Sequence, residues 1–155
     1  MGKKSVIVRQ PRADELDITV ILMEYYRDEA NLPEGEYDDR EMLNTIRRYM
    51  TSADYCWFNL YEGSRPVGLV AGYVAQIPWS TRLMAHVQFL FTLPSHRNIA
   101  NARMLTDEFE AWARNCGCVR LSAGDIGINP ERTRAFYQQV GFSDTGCWLS
   151  KELSE

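Results

Sequence analysis

The order of hydrophobic patterns along this chain predicts an α/β fold, a mixed β-sheet with helices packed over it. Three observations carry that expectation. Runs rich in aromatic and β-branched residues, "YCWFNLYE", "PVGLVAGYVAQI" and "AHVQFLFTL", follow one another in the middle of the chain, as strands do. Helical spacing precedes and follows them. The segment after "FTLPSHRN" sets Leu105, Phe109, Trp112 and Cys116 four, three and four residues apart. That is a single apolar stripe. It stands between two strand patterns, as the helix of a parallel crossover does.

Each element has a local reason. "SVIVRQ" reads as a first strand. "ADELDITVILMEYY" reads as a helix with Leu16, Val20 and Met23 at helical spacing and Asp14 as its cap. A polar connection, "RDEANLPEGEYDD", leads to a second helix in "REMLNTIRRYM", where Met42, Ile46 and Tyr49 share a face. "EGSRP" is a hairpin turn, and "PWSTR" turns the chain into the next strand. The crossover helix ends at Gly117, a natural C-cap, and "CVRLSAGDIGI" is a further strand. Asn129 and Pro130 supply an N-cap and a first-turn proline for "ERTRAFYQQV", which stops at Gly141. "GCWLSKEL" reads as a closing strand. The order is β-α-α-β-β-β-α-β-α-β, expected as one domain over residues 1–155 because no linker, repeat or low-complexity tract divides it.

Composition narrows the function classes. With 155 residues, 45% hydrophobic and 25% charged, the chain can bury a core without disulfide or metal staples. A formal charge of −4 argues against general affinity for nucleic acid or anionic membranes, so any bound anion must be held by local geometry. No run is apolar enough to span a bilayer, and "MGKKSVIVRQ" is too short in apolar residues for a secretory signal. Val6 stands where a myristoylation signal wants Ser or Thr. A cytoplasmic protein without membrane or nucleic-acid partners is expected. Cys56, Cys116, Cys118 and Cys147, with His86 and His96, complete no zinc spacing, and no metal is expected.

The stretch "FTLPSHRNIANARMLTDEFEAW" holds the most informative local arrangement. An apolar strand ends at a proline, His96 and Arg97 follow, and a helix begins. A helix N-terminus behind a cationic loop is an anion cradle, because its first N–H groups lack acceptors and carry partial positive charge. The bland alternative is an ordinary strand-to-helix turn with Arg97 and Arg103 solvated.

The element order, this loop, the opening "VIVRQPRADELD" and the later "AFYQQVGF" resemble the GNAT superfamily of acetyl-CoA-dependent N-acyltransferases over nearly the whole chain. The resemblance implies a central mixed β-sheet with helices on both faces and acetyl-CoA as acyl donor. The family signature is Gln or Arg, two variable positions, Gly, one variable position, then Gly or Ala. It begins here at Arg97, with Ala100 in place of the usual Gly and with Ala102 at the last position. Residues Arg97, Asn98, Ile99, Ala100, Asn101, Ala102 and Arg103 are thereby implied in pyrophosphate binding. If position 100 needs φ > 0, alanine costs about 1–2 kcal/mol. If it lies in the first helical turn, alanine is favoured over glycine by up to about 1 kcal/mol.

The resemblance also implies a mechanism. Tyr137, in a Tyr-x-x-x-Gly-Phe pattern ending at Phe142, would protonate the departing thiolate; the alternative is a core aromatic like Phe136. A thiol titrates near about 8.5 and a tyrosine near about 10, so the phenol can donate as charge builds on sulfur. Backbone groups of "FLFTL", from Phe91 to Leu93, would pair with pantetheine and stabilise the tetrahedral oxyanion. Asn129 stands open between its capping role and a contact to pantetheine. Transfer is direct, so no nucleophile pair is required.

The base is the weakest part of the pattern. His86, acting through water, is the first candidate, and Glu34 or Glu36 the second; a histidine with no catalytic role is the competing possibility. The acidic connection from Asp28 to Glu41, with Trp79 in "QIPWST", would face an acceptor such as a polyamine, an aminoglycoside or a protein lysine. The rival function is a non-catalytic relative that grips another protein and binds coenzyme A weakly or not at all. Homodimers are common in the family.

Overall fold

The computed structural model describes residues 4–124, 129–146 and 149–153. Among them the chain forms five strands and four α-helices. β1 (Val6–Arg9) is followed by α1 (Leu16–Ala30) and α2 (Asp39–Thr51), then by β2 (Tyr55–Glu62), β3 (Arg65–Gln76) and β4 (Leu83–Thr92). α3 (Ile99–Asn115), β5 (Cys118–Ala123) and α4 (Pro130–Gln139) complete the series. The sheet order is β1-β2-β3-β4-β5. The first three pairings are antiparallel and β4–β5 is parallel, with α3 as its crossover.

Alternation along the strands assigns the two faces. The Cβ direction at Gly72 points to Phe109 of α3, whereas Trp57, Phe89 and Phe91 meet Tyr49 of α2 and Tyr26 of α1. α1 and α2 therefore cover one face and α3 the other. Trp57, Leu60, Leu69, Val70, Leu105 and Phe109 are fully buried between these layers. Among the described residues no helix is long and apolar enough to cross a membrane.

A buried polar chain fixes α1 on the sheet. Asn59 donates to Thr19 Oγ1 of α1 at 2.9 Å and accepts from Trp57 Nε1 at 2.9 Å. Tyr61 donates to Glu15 at 3.3 Å, and Arg9 closes on Glu15 through two bonds of 2.7 and 2.9 Å. The Arg9 hydrogen bonds are the main reason the Glu15 carboxyl is pulled down to about 2.

The start of α1 corrects the expected cap. Residues Ala13–Glu15 form a single 3₁₀ turn, and α1 begins at Leu16. Glu15 rather than Asp14 serves this end, because its carboxylate accepts from the Arg12 N–H at 2.8 Å and is held by Arg9. α1 also runs further than the periodicity predicts, to Ala30, closed by Asn31 in the left-handed region (φ 51°). Glu29 thus stands in its last turn rather than in the acidic connection.

The closing strand expected in "GCWLSKEL" is a second correction. Residues Gly146 and 149–153 have no strand structure, and Cys147 and Trp148 lie outside the described residues. Leu149 and Leu153 are 89% and 84% exposed, so little apolar burial offsets the entropy of ordering this segment. β5 itself covers Cys118–Ala123, the first part of the expected strand, whose last residues, 125–128, are also outside the described set.

Candidate active site

The parallel pair β4–β5 comes apart halfway along. Its last register pair is Val87 with Ala123, while β4 stays paired with β3 as far as Thr92. Gln88 is an extra residue on β4, because Ala71 pairs with Phe89 and Gly72 with Val87. A bulge kinks its strand and re-aims the residues beyond it. From Gln88 to Thr92, β4 thus has a partner strand on the β3 side alone among the described residues. An unpaired strand edge offers a row of donors and acceptors to an extended ligand.

A cavity of about 640 Å³ occupies this opening. Val87 to Thr92 form one wall, the start of α3 closes one end, and Asn129, Thr133, Phe136 and Tyr137 of α4 and its cap line the opposite side. Tyr26 and Glu29 of α1 reach it from the other layer. The Tyr26 ring stands edge-on to Phe89 and Phe91, with centroids 5.6 and 5.7 Å away.

The loop before α3 is held by hydrogen bonds rather than by glycine. Asn98 caps α3 by accepting from the Asn101 N–H at 2.8 Å, and the buried Asn101 donates from Nδ2 to the His96 carbonyl at 2.8 Å. His96 is pinned to Glu62 of β2 at 2.8 Å and to Ser95 at 2.8 Å. The hydrogen bond from His96 lowers the Glu62 carboxyl below its ordinary value. By helix geometry the N–H groups of Ile99 and Ala100 have no intrahelical acceptor. Ala100 lies in the first turn of α3, and the only positive-φ residue other than glycine among the described residues is Asn31. Alanine at position 100 is therefore the helical case, favourable by up to about 1 kcal/mol over glycine.

Arg97 is already engaged. Its guanidinium meets Glu29 through Nη1 at 2.5 Å and Nη2 at 2.8 Å, and Nη2 also donates to the Thr92 carbonyl at 2.6 Å.

Of the residues singled out from the sequence, Phe91, Arg97, Asn98, Ile99, Ala102, Asn129 and Tyr137 come together around this cavity. Tyr137 is 8% exposed and packs its ring against Phe136 and Phe142, with centroids 5.5 and 5.0 Å away. Asn129 caps α4 by accepting from the Arg132 N–H at 3.2 Å. The other selected residues lie elsewhere. Ala100 and Arg103 are exposed on α3, Asn101 is buried behind the loop, and Leu93 is buried with its N–H donating to the Val67 carbonyl.

His86 precedes the cavity wall by one residue. Its Nδ1 is hydrogen-bonded to Ser122 Oγ at 2.7 Å, and its ring lies 5.4 Å from that of Tyr73. Burial pushes its pKa down. Glu34 and Glu36 are exposed between α1 and α2, and Trp79 is 83% exposed in the β3–β4 turn.

The cavity also recruits Tyr26 and Glu29, with Gln88, Arg132 and Thr133; of these the sequence reading includes only Glu29, as part of the acidic connection expected to face an acceptor. One signal existed for the first two. Tyr26 and Glu29 are three apart, and so share a face of α1 once the helix is extended by one turn.

The chain is similar to known proteins in sequence and in fold. Residues 18–142 match the acetyltransferase (GNAT) family. An aminoglycoside N(6')-acetyltransferase type 1 from Acinetobacter genomosp. 13 is 31% identical over 65 residues, which is 42% of this chain and 44% of that protein. The chain thus matches less than half the length of that relative. Among solved structures, aminoglycoside N-acetyltransferase AAC(6')-Iy in complex with CoA superposes with a TM-score of 0.79 at 16% identity, covering 98% of this chain and 97% of the other. A predicted acetyltransferase with acetyl-CoA from Clostridium acetobutylicum gives 0.79 at 14% identity, with 96% of each chain covered. The match over residues 18–142, well over half of the chain, shows that the chain belongs to the GNAT family of acetyltransferases, which use acetyl-CoA.

Proposed function

We propose that this chain, working as one domain, moves an acetyl group from acetyl-CoA directly to a primary amine. The observation that carries the proposal is the cavity itself. A strand edge unpaired among the described residues, the acceptor-free N–H groups of a helix start and a buried tyrosine line or border one space. Acetyl-CoA supplies an activated thioester and a thiol leaving group. Binding, orientation and proton movement fall to this chain's residues.

The N–H groups of Ile99 and Ala100 and the positive end of α3 take the pyrophosphate charge, with Arg132 and Arg103 adding exposed positive charge nearby. Asn98 and Asn101 hold that turn in shape. The free edge of β4 around Phe91, with buried Leu93 behind it, pairs with the pantetheine arm and offers N–H groups to the developing oxyanion. Asn129 lies within the same cavity and adds a polar contact beyond its cap. The Tyr137 phenol donates a proton to the departing sulfur. His86, kept neutral by burial, takes the proton of the amine through water.

The acceptor proposed is a polycationic small amine of the aminoglycoside class. Two observations support it: the similarity to an aminoglycoside acetyltransferase and the exposed acidic connection that holds Glu34 and Glu36. Trp79, exposed in the β3–β4 turn, supplies an aromatic face for such an acceptor. Calorimetric titration with coenzyme A comes first, and micromolar binding is expected. Thiol release from acetyl-CoA is then followed against aminoglycosides, polyamines and lysine peptides, with the aminoglycosides expected to be the best acceptors. No binding at millimolar coenzyme A would sink the proposal and favour a protein-binding role.

A further inference from the structure

The position of Glu29 is not explained by its own helix. It sits in the last turn of α1, where the partial negative charge of the helix end disfavours a carboxylate. It also lines the cavity where the proposed function places a pyrophosphate, which it would repel. Its partner lies 68 residues away in sequence. Arg97 meets it as a fork, with Nη1 donating to Oε1 and Nη2 to Oε2, and Nη2 donates to the Thr92 carbonyl at the same time. Both side chains are about three-quarters shielded from solvent, at 28% and 24% exposed. Three of the five guanidinium N–H donors are thereby committed inside the protein, and the pair presents no net charge to the cavity.

We infer that Glu29 is a positioning residue for the acyl donor. It locks Arg97 onto the last carbonyl of β4, and that lock fixes the first turn of α3, whose backbone N–H groups then bind the pyrophosphate. Arg97 serves as the strut between α1, β4 and α3 and is not the phosphate ligand. The arrangement accounts for a carboxylate at the anion end of the cavity. It also accounts for a working loop with alanine at position 100, since the loop is held from outside by an ion pair. The inference rests on the proposed pyrophosphate site.

The test compares two probes, coenzyme A by calorimetry and pantetheine, which lacks the pyrophosphate, by NMR titration. Glu29→Gln and Arg97→Gln should each weaken coenzyme A by about tenfold, and the double variant should be little worse than either single one. The affinity ratio of coenzyme A to pantetheine should fall by the same factor. Glu29→Asp, which keeps the charge, should recover part of the loss. Tighter coenzyme A binding by Glu29→Gln would overturn the inference, since it would make Arg97 the ligand and Glu29 its competitor. Equal weakening of both probes together with a lowered melting temperature would overturn it too, leaving only a structural role. A wild-type chain that binds neither probe overturns the proposed function first, a result read without any variant.

Discussion

Phe109 of α3 closes directly over Gly72 of β3. A Cβ at position 72 would stand 2.7 Å from its Cε2 atom and closer still to the His86 carbonyl oxygen. The contact lies beside the bulge at Gln88, where β4 turns away from β5. Glycine here lets the crossover helix sit close on the sheet at the level where the cavity opens.

Gly72→Ala should therefore cost about 3 kcal/mol or prevent folding, the upper range for overpacking. Urea denaturation measures this. Adding Phe109→Leu should relieve only part of the loss, because the carbonyl clash is with backbone. Full rescue by the double variant would show that the ring alone sets the constraint.

Ala100 tests the opposite preference for glycine. With the residue in the first helical turn, Ala100→Gly should lower stability by up to about 1 kcal/mol. Coenzyme A affinity should stay within about twofold, since the methyl lies off the cavity and the ligating groups proposed are backbone. A large gain in affinity would mean that the methyl obstructs the cofactor.

Tyr137→Phe keeps the ring that packs between Phe136 and Phe142 and removes the phenol. Turnover should fall at least tenfold, about 1.4 kcal/mol of barrier, with coenzyme A affinity nearly intact. Steady-state kinetics beside calorimetry separates the two. Unchanged turnover would remove the phenol from the mechanism.

The pH profile addresses His86. Burial lowers its pKa below the ordinary 6.5, so the imidazole is neutral, and able to accept a proton, from below that value upward. The acid limb of kcat/KM should accordingly fall below pH 6.5, and His86→Gln should abolish it along with at least about tenfold in rate. A histidine whose folded pKa lies below its unfolded value costs stability as pH falls through the unfolded pKa. The melting temperature should thus drop on acidification through that range less in His86→Gln than in the wild type. An unshifted acid limb in the variant would assign the base to another group.

Much of this molecule was legible because its local patterns carry local physics. The stripe Leu105, Phe109 and Trp112 encodes α3, and its place between two strand patterns predicts the parallel pairing that the structure has. Asn129 and Pro130 specify where α4 starts, and Gly117, with φ 84°, where α3 stops. Those signals depend on neighbours within a few residues. The end of α1 was misplaced because its last turn, polar in composition, is held by Asn31 and by a tertiary ion pair rather than by an apolar stripe. The expected closing strand carried the right residue types, yet strand propensity is realised only where a partner edge and a buried face are available.

By itself, then, the sequence determined the order of elements from β1 to α4, the crossover, and the loop residues, Asn129 and Tyr137 that come to the cavity. The tertiary structure alone decided that β4 and β5 part after Val87 and that Tyr26 and Glu29 enter from α1. It alone turned Arg97 away from solvent and onto Glu29 and Thr92. The reason is physical. Periodicity and capping record how each segment satisfies its own backbone and apolar face. A guanidinium chooses its carboxylate only after packing has brought together two surfaces far apart in the chain.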